Sequence, residues 1–591
     1  MQKILKYIIL IGIFLLPLIN SIITNLLWFS FSIPVDWNYE FTKVMFFNIW
    51  SSLVISLFFI NNIFSRVWKF SYPTVGLFIF YTIILLSTIF SESPIISFLW
   101  NNEKSHSFLM WSNLVWLYIV FSSLLSPLGG KYPKGDRGLI SFTSIIKTFI
   151  FSGIFVSIIW LKEYFYPTFN YWDLWNRLFS TFWHPNYLSI FLVALMPFFS
   201  SHLTSPKRRG IKGIIFILFI ITLFFTKSFI AIFLFIIFII LKSAGQQRAL
   251  ALWIVSFIVF FWFVVIYNFL PEKLHSFISR YFIWETTLRI IFSDIKLFLI
   301  GWWAETLTYF FNNFKSEYIY IFENLGYTAD RPHNILLNFF YHFWIFGLVF
   351  ILWVYYKIFN YKVGNKNFYS LQILQSKISL ILIFIFILFN PTNIVIYLFC
   401  IILLAKLYLQ NKNETVGSAG LQTLQNIFII FITLISIFWA YNSLKFYISE
   451  TYSYKNNYAK SLNIYKNNPE LYFQKWDFEN WLKITKRKTV LFYKYTILFI
   501  NNLDEKIILS DNFLGEYNYA ENYFYIWNVF WDLWKKDIAK EYYEKWLEKL
   551  PDLWNSDSKY YKEFLIKRLK IDDHRITSEK YWLKTILERL K

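Results

Sequence analysis

Long apolar runs alternate with short polar interruptions along most of this chain. They lie at about 5–27, 44–64, 74–91, 106–127, 143–162, 185–203, 211–226, 228–242, 250–270, 333–357, 378–390, 392–409 and 425–446. A helix of about 20 apolar residues crosses a hydrocarbon layer roughly 30 Å thick, so the pattern predicts about 13 membrane spans, within a range of about 12–14. Helices are expected because each satisfies its own backbone hydrogen bonds in lipid. The seventh and eighth runs are parted only by "TKS", Thr226 to Ser228, and the eleventh and twelfth only by "NPTN", Asn390 to Asn393. Both read as tight hairpins or partly re-entrant segments. The first run has no small-residue cleavage site and is read as an uncleaved span. The expected fold is an all-α integral membrane protein. A large extracytoplasmic loop at 271–332 and a C-terminal α-helical soluble domain complete it.

Composition agrees with that pattern. Of 591 residues, 57% are hydrophobic and 16% charged, whereas soluble domains carry about 25% charge. The net charge of +21 comes from basic residues dispersed between the runs. Nucleic-acid recognition would need one basic stripe, so nucleic acid is not an expected partner. The single cysteine, Cys400, excludes an intrachain disulfide and a cysteine metal site.

Lysine and arginine set the orientation. The loops "SRVWKF", "GGKYPKGDRG", "SPKRRGIK", "KSAGQQR", "KIFNYKVGNK" and "KLYLQNKNE" all fall on one side if the N-terminus is cytoplasmic. Alternate loops such as "FSIPVDWNYE" are acidic or neutral and aromatic. The expected location is the cytoplasmic (inner) membrane, multi-pass, with the tail from 447 extracytoplasmic.

That outer face is poor in positive charge except where Arg, Lys and His flank a run. "NRLFSTFWHPNYLSI" carries Arg177, His184 and Asn186; "SRYFIWETTLRIIF" carries Arg280 and Arg289; the TKS turn carries Lys227; "ADRPHNILL" carries Arg331 and His333. Arginine offers a rigid fork of donors that suits phosphate oxygens. Arginines at headgroup depth therefore point to a lipid-linked phosphate or pyrophosphate. Histidine is the usual general base for a hydroxyl nucleophile. Pro332 disfavours helix at Arg331, which fits a loop entering a helix at about Asn334. The outer loops hold no paired carboxylates or His pair at metal-ligand spacing, so no metal is expected. Other readings stay open. Arg280 and Arg289 would also suit snorkelling from an amphipathic interfacial helix. His184 would suit plain helix entry before Pro185, and His342 would suit packing between helices.

Taken in order, these pieces resemble the O-antigen ligase and O-antigen polymerase superfamily of integral-membrane glycosyltransferases. "RLFSTFWHPNYLSIFL" matches through Arg177, Pro185 and Asn186. The Thr-x-Ser-Arg turn appears as "TKSF": Thr226 and Ser228 match, and Phe229 stands where the family commonly has a functional Arg. Arg280 and Trp284 match Arg-x-x-x-Trp, followed by a segment ending at Gly301. His333, Asn334, Leu337 and Gly347 match a His-Asn motif opening a span, with Trp344 in place of the first of two usual glycines. The match runs from about 177 to 409.

The resemblance implies a metal-independent, inverting glycosyltransferase without a cofactor. Its donor would be a glycan on undecaprenyl pyrophosphate, and its acceptor a glycan, lipid or protein. His333 and Arg280 would be catalytic. Arg177, His184, Asn186, Lys227, Trp284, Arg331 and Asn334 would bind substrate, with Lys227 standing in for the missing Arg. Arg331 would add a phosphate contact or favour neutral His333. Two other classes compete: a transporter or channel, and a membrane-anchored interaction protein acting through its tail.

The chain then divides into N-terminal spans at 1–176, a catalytic membrane core at 177–409, a last span within 410–446 and a tail at 447–591. In the tail, "AKSLNIYKNNPELY" and "AKEYYEKWLEKLPDLW" resemble the second helix of a tetratricopeptide repeat. Their separation is too wide for a regular array. The tail would pack on the outer loops or bind the acceptor.

Orientation is directly testable. A cysteine placed at Ser556 should react with an impermeant reagent on intact cells, and one at Ser243 should be protected. The reverse labelling would overturn the shared outer face.

Overall fold

The structure is a computed structural model. It describes residues 1–19, 39–65, 74–90, 107–125, 140–165, 185–202, 206–243, 271–293, 331–359, 368–388, 393–408 and 433–445, plus isolated positions. The described residues are helical apart from turns and one isolated bridge, Leu125 to Ile140. The expected span at 250–270, Gly301 and nearly all of the tail at 447–591 lie outside the described residues.

The helices are α1 (Gln2–Leu15), α2 (Tyr39–Ser65), α3 (Thr74–Ile89), α4 (Phe108–Leu124), α5 (Phe142–Phe165) and α6 (Pro185–Leu195). A 3-10 turn, Met196–His202, continues α6. Then come α7 (Pro206–Phe225), α8 (Phe229–Ser243), α9 (Pro271–Phe292), α10 (Ile335–Phe359), α11 (Phe368–Ile387) and α12 (Ile394–Tyr408). Residues 433–445 are also helical.

Most expected runs that fall on described residues coincide with a helix, and three expectations, two runs and one loop, do not match as drawn. The first ends early: α1 stops at Leu15 and a turn follows. The eleventh begins well before 378, because α11 starts at Phe368. Its extra turns carry Gln372, Gln375 and Ser376, which look like loop residues but are buried. Gln372 donates to Thr143 Oγ1 (3.0 Å), Gln375 to the Pro197 carbonyl (2.9 Å) and Ser379 to the Ala194 carbonyl (2.7 Å). Hydropathy placed the two glutamines in water, whereas α5 and the 3-10 turn satisfy them. The expected loop at 271–332 is the third departure, since it opens with the helix α9.

Among the described residues, two helical stretches, Thr42–Asn61 and Phe142–Lys162, are long and apolar enough to cross a membrane; the other apolar stretches, such as Ile345–Phe359 within α10, are shorter. About 13 such spans were expected from run length alone.

α12 packs on α4 and α11, α2 on α4, and α1 on α2 and α5, while α6 joins α7, α8 and α11. One apolar core runs through these elements and takes in α3 and α10. α9 stands apart, packing mainly on α10. Ile283, Ile290 and Ile291 meet Leu307, Phe311 and Tyr341 there in a separate small cluster.

Polar groups sit inside and large apolar ones outside. Asn113 donates to Asn48 Oδ1 (3.0 Å) between α4 and α2, and Ser52 donates to Asn113 Oδ1 (3.4 Å). Lys43 is buried, donates to the Pro17 carbonyl (3.0 Å) and lies 4.5 Å from the centre of the Phe182 ring. By contrast Ile4, Tyr7 and Ile11 of α1 are exposed, as are Phe151, Phe155 and Ile158 of α5. So are Ile214, Ile217, Ile221 and Phe224 of α7, and Phe346, Val349, Trp353 and Tyr356 of α10. Each set recurs every three or four residues, so each is one continuous face.

Two glycines permit close approach. A Cβ on Gly347 would meet the carbonyl oxygen of Phe339, eight residues earlier. A straight helix advances about 12 Å over that interval, so α10 bends sharply here. The bend brings the rings of Phe339 and Phe350 to 6.5 Å beside Phe80. On α1, a Cβ on Gly12 would strike the indole of Trp50, whose Nε1 donates to the Ile8 carbonyl (2.9 Å). Helix propensity favours Gly12→Ala by about 1 kcal/mol, while overpacking costs about 1–3 kcal/mol. The variant should therefore melt below wild type in detergent. A higher melting temperature would show that the α1–α2 contact yields without cost.

Candidate functional site

The turn before α10 gathers most of the predicted residues. Asn334 is a helix N-cap: its Oδ1 accepts from the backbone N–H groups of Leu336 (2.9 Å) and Leu337 (3.2 Å), and its carbonyl accepts from Asn338 N–H (2.8 Å). Asn at this position satisfies donors that the first helical turn leaves open. The side chain assigned to substrate is thus engaged in capping. His333 precedes it with φ 55°, in the left-handed region. A β-carbon is crowded there, and asparagine or glycine is the usual occupant.

Arg331 is buried, with 6% of its surface exposed, and Pro332 is buried beside it. The Arg331 guanidinium lies near enough to the His342 imidazole for its charge to act there. His342 is buried within α10, as a packing role predicts, and its carbonyl accepts from Ser87 Oγ (3.1 Å). Sequence reading did not foresee that the Arg331 charge acts on His342. The i to i+11 spacing carries no recognisable signal.

α9 meets this turn. Trp284 Nε1 donates to the Pro332 carbonyl at 2.7 Å. Arg280, half-buried, stands four residues earlier and so on the same face of α9. Arg289 is different. It is exposed and forms a 2.6 Å ion pair with Glu285 one turn away, a surface pair worth about 0.3–0.5 kcal/mol. Arg280, Trp284, Arg331, His333 and Asn334 therefore share one locality.

Two further predicted residues occupy another part of the fold. Asn186 follows Pro185 in the first turn of α6, where proline's missing N–H costs no helical bond. Its Nδ2 donates to Asn390 Oδ1 at 3.3 Å. Asn390 is buried in the turn between α11 and α12, and Asn393 caps α12 by accepting from Ile396 N–H (3.2 Å). The sequence marked this "NPTN" stretch only as a turn, and gave no sign of its tie to Asn186. Lys227 lies in the turn between α7 and α8, exposed, with φ 51°. Thr226 and Ser228 on either side are buried, and Thr226 Oγ1 donates to the Leu223 carbonyl (2.7 Å). Among the described residues, Lys227 and His333 are the only non-glycine positions at positive φ. Arg177 and His184 lie outside the described residues.

Removal of the Asn334 cap by Asn334→Ala should cost about 1 kcal/mol of stability. Lys227→Gly should melt no lower than wild type, because glycine accepts the left-handed backbone without a β-carbon. Thermal unfolding of the purified variants checks both. A clear loss in Lys227→Gly would mean that its stem contributes packing.

No family model, curated protein or solved structure matches this chain, so its site is read from its own residues and their geometry.

Proposed function

We propose that this chain is a membrane glycosyltransferase of the O-antigen ligase and polymerase kind. It would act at the outer face of the cytoplasmic membrane on a glycan linked to undecaprenyl pyrophosphate. The membrane part of this reading rests on the outward apolar faces of α1, α5, α7 and α10. Contiguous exposed apolar surface of that kind needs a lipid or protein cover. About 13 spans with basic loops on one side would supply the topology.

The observation that carries the catalytic reading is the turn at His333. A histidine held at φ 55° between a proline and a capping asparagine sits beside the helix that bears Arg280. Strained non-glycine backbone persists where surrounding structure over-determines it, and it clusters at functional sites. In the proposed reaction an acceptor hydroxyl attacks the anomeric carbon from the face opposite the leaving group. His333 takes the hydroxyl proton. The bond from the anomeric carbon to the phosphate oxygen breaks, and the electron pair leaves with undecaprenyl pyrophosphate. Arg280, with Arg177 or Lys227, would hold that pyrophosphate and offset its growing charge. Arg331 is too buried to reach a mobile headgroup and suits bracing the turn better. Asn186 and Asn334 suit structural roles because their side chains already bond within the fold.

A transporter would place ionisable groups along a path through the bundle. The buried lysines fit it less well. Lys43 lies near the start of α2 and Lys406 in the last turn of α12, over the Phe142 ring at 5.2 Å.

Single-turnover transfer on matched amounts of folded protein tests the reading. His333→Ala should lower the rate by about 10²–10⁴-fold while donor still binds. Arg280→Ala should raise donor KM and lower turnover together. Lys227→Ala should raise donor KM alone. Transfer by His333→Ala within a few-fold of wild type would end the catalytic assignment.

A further inference from the structure

The indole of Trp284 makes a contact that a substrate-binding role does not need. Its one N–H donates to the Pro332 carbonyl at 2.7 Å, across 48 residues of chain. Tryptophan has no second donor. That carbonyl belongs to the rigid peptide plane joining Pro332 to His333, and a planar peptide moves as one body. Holding its oxygen therefore sets the plane from which φ of His333 is measured. On the other side of His333, Asn334 is pinned by its two capping bonds to Leu336 and Leu337. The left-handed conformation at His333 is clamped between these anchors. With either released, the residue could relax to the negative φ that L-residues prefer, and the imidazole would swing away.

We propose that Trp284 is a positioning residue: it latches α9 to the turn at His333, fixing the imidazole and setting its distance from the Arg280 phosphate contact one helical turn away. The proposal rests on the glycosyltransferase reading and reassigns Trp284 from substrate contact to latch. It also explains how α9, which packs mainly on α10 through the small cluster around Ile283 and Tyr341, keeps register with the bundle.

Trp284→Phe keeps a ring in place and removes the N–H. Two readouts are needed, one independent of activity. Hydrogen exchange of the backbone amides at 333–338 in the purified protein should quicken by roughly 2- to 10-fold, the net effect of one lost hydrogen bond. Single-turnover transfer from undecaprenyl-pyrophosphate glycan should fall by roughly 10- to 100-fold, as for a reactive group displaced by an ångström. Donor KM should stay within about twofold, since the bond contributes orientation and not donor affinity. If the phenylalanine variant does not fold, replacement of Trp284 by its benzothiophene isostere, with sulfur for N–H, preserves the shape and should give the same split. Unchanged exchange at 333–338 would overturn the latch. A raised donor KM with an unchanged rate would also overturn it, and would return Trp284 to substrate binding. Faster exchange with a wild-type transfer rate would reduce the bond to a structural one and overturn the positioning role. Wild-type protein that transfers no glycan would overturn the proposed function and the catalytic half of this inference, while the exchange difference would still decide the latch.

Discussion

A set of buried polar side chains in this bundle finds partners on neighbouring elements, and these contacts tie the helices together. A buried amide or hydroxyl without a partner costs more than a hydrogen bond gains. Asn48 with Asn113 ties α2 to α4, Gln372 and Gln375 tie α11 to α5 and the 3-10 turn, and Ser379 ties α11 to α6. Where no donor is opposite, backbone carbonyls serve, as Ile8 does for Trp50 and Pro17 for Lys43. Apolar side chains lie on both sides of such helices, so hydrophobicity alone does not orient them. The polar contacts choose which face turns inward.

The same logic extends to the candidate site. Its residues come from the start of α10, from α9 and from the α6 and α7–α8 turns, and polar bonds from outside each segment pin two of them. Trp284 pins the turn at His333 and Asn390 pins the start of α6. Of the residues singled out for chemistry, Asn186, Trp284 and Asn334 each make such a structural bond. The remaining ones sort by access. Lys227 is exposed and Arg280 half-buried, within reach of an anion at the surface, whereas Arg331 is buried. In the proposed site, ligand contact and support of the contacting residues would be separate tasks, carried by different side chains.

Local physics made much of this legible in advance. Apolar run length located most helices to within a few residues, because helix formation in an apolar surround is dictated by backbone hydrogen bonding. Pro185 opening α6 and Asn334 capping α10 follow from the chemistry of the first helical turn. Pro332 correctly marked Arg331 as non-helical. The misreadings shared one cause. Gln372 and Gln375 were placed in a loop, and 271–293 was read as part of a longer one with an interfacial helix as the alternative, because polarity was equated with exposure to water.

The sequence by itself determined the all-α class, the positions of most helices and the candidates Arg280, Lys227 and His333, since each depends on composition or neighbours within a turn. Only the tertiary structure decided what those candidates stand beside. The bond from Trp284 spans 48 residues and that from Asn186 spans 204. Neither leaves a periodic or local trace, because a single hydrogen bond between distant helices constrains two positions and nothing between them. The left-handed backbone at His333 is of the same kind. Intrinsic preference argues against it, and it is held by contacts from α9 and from the first turn of α10.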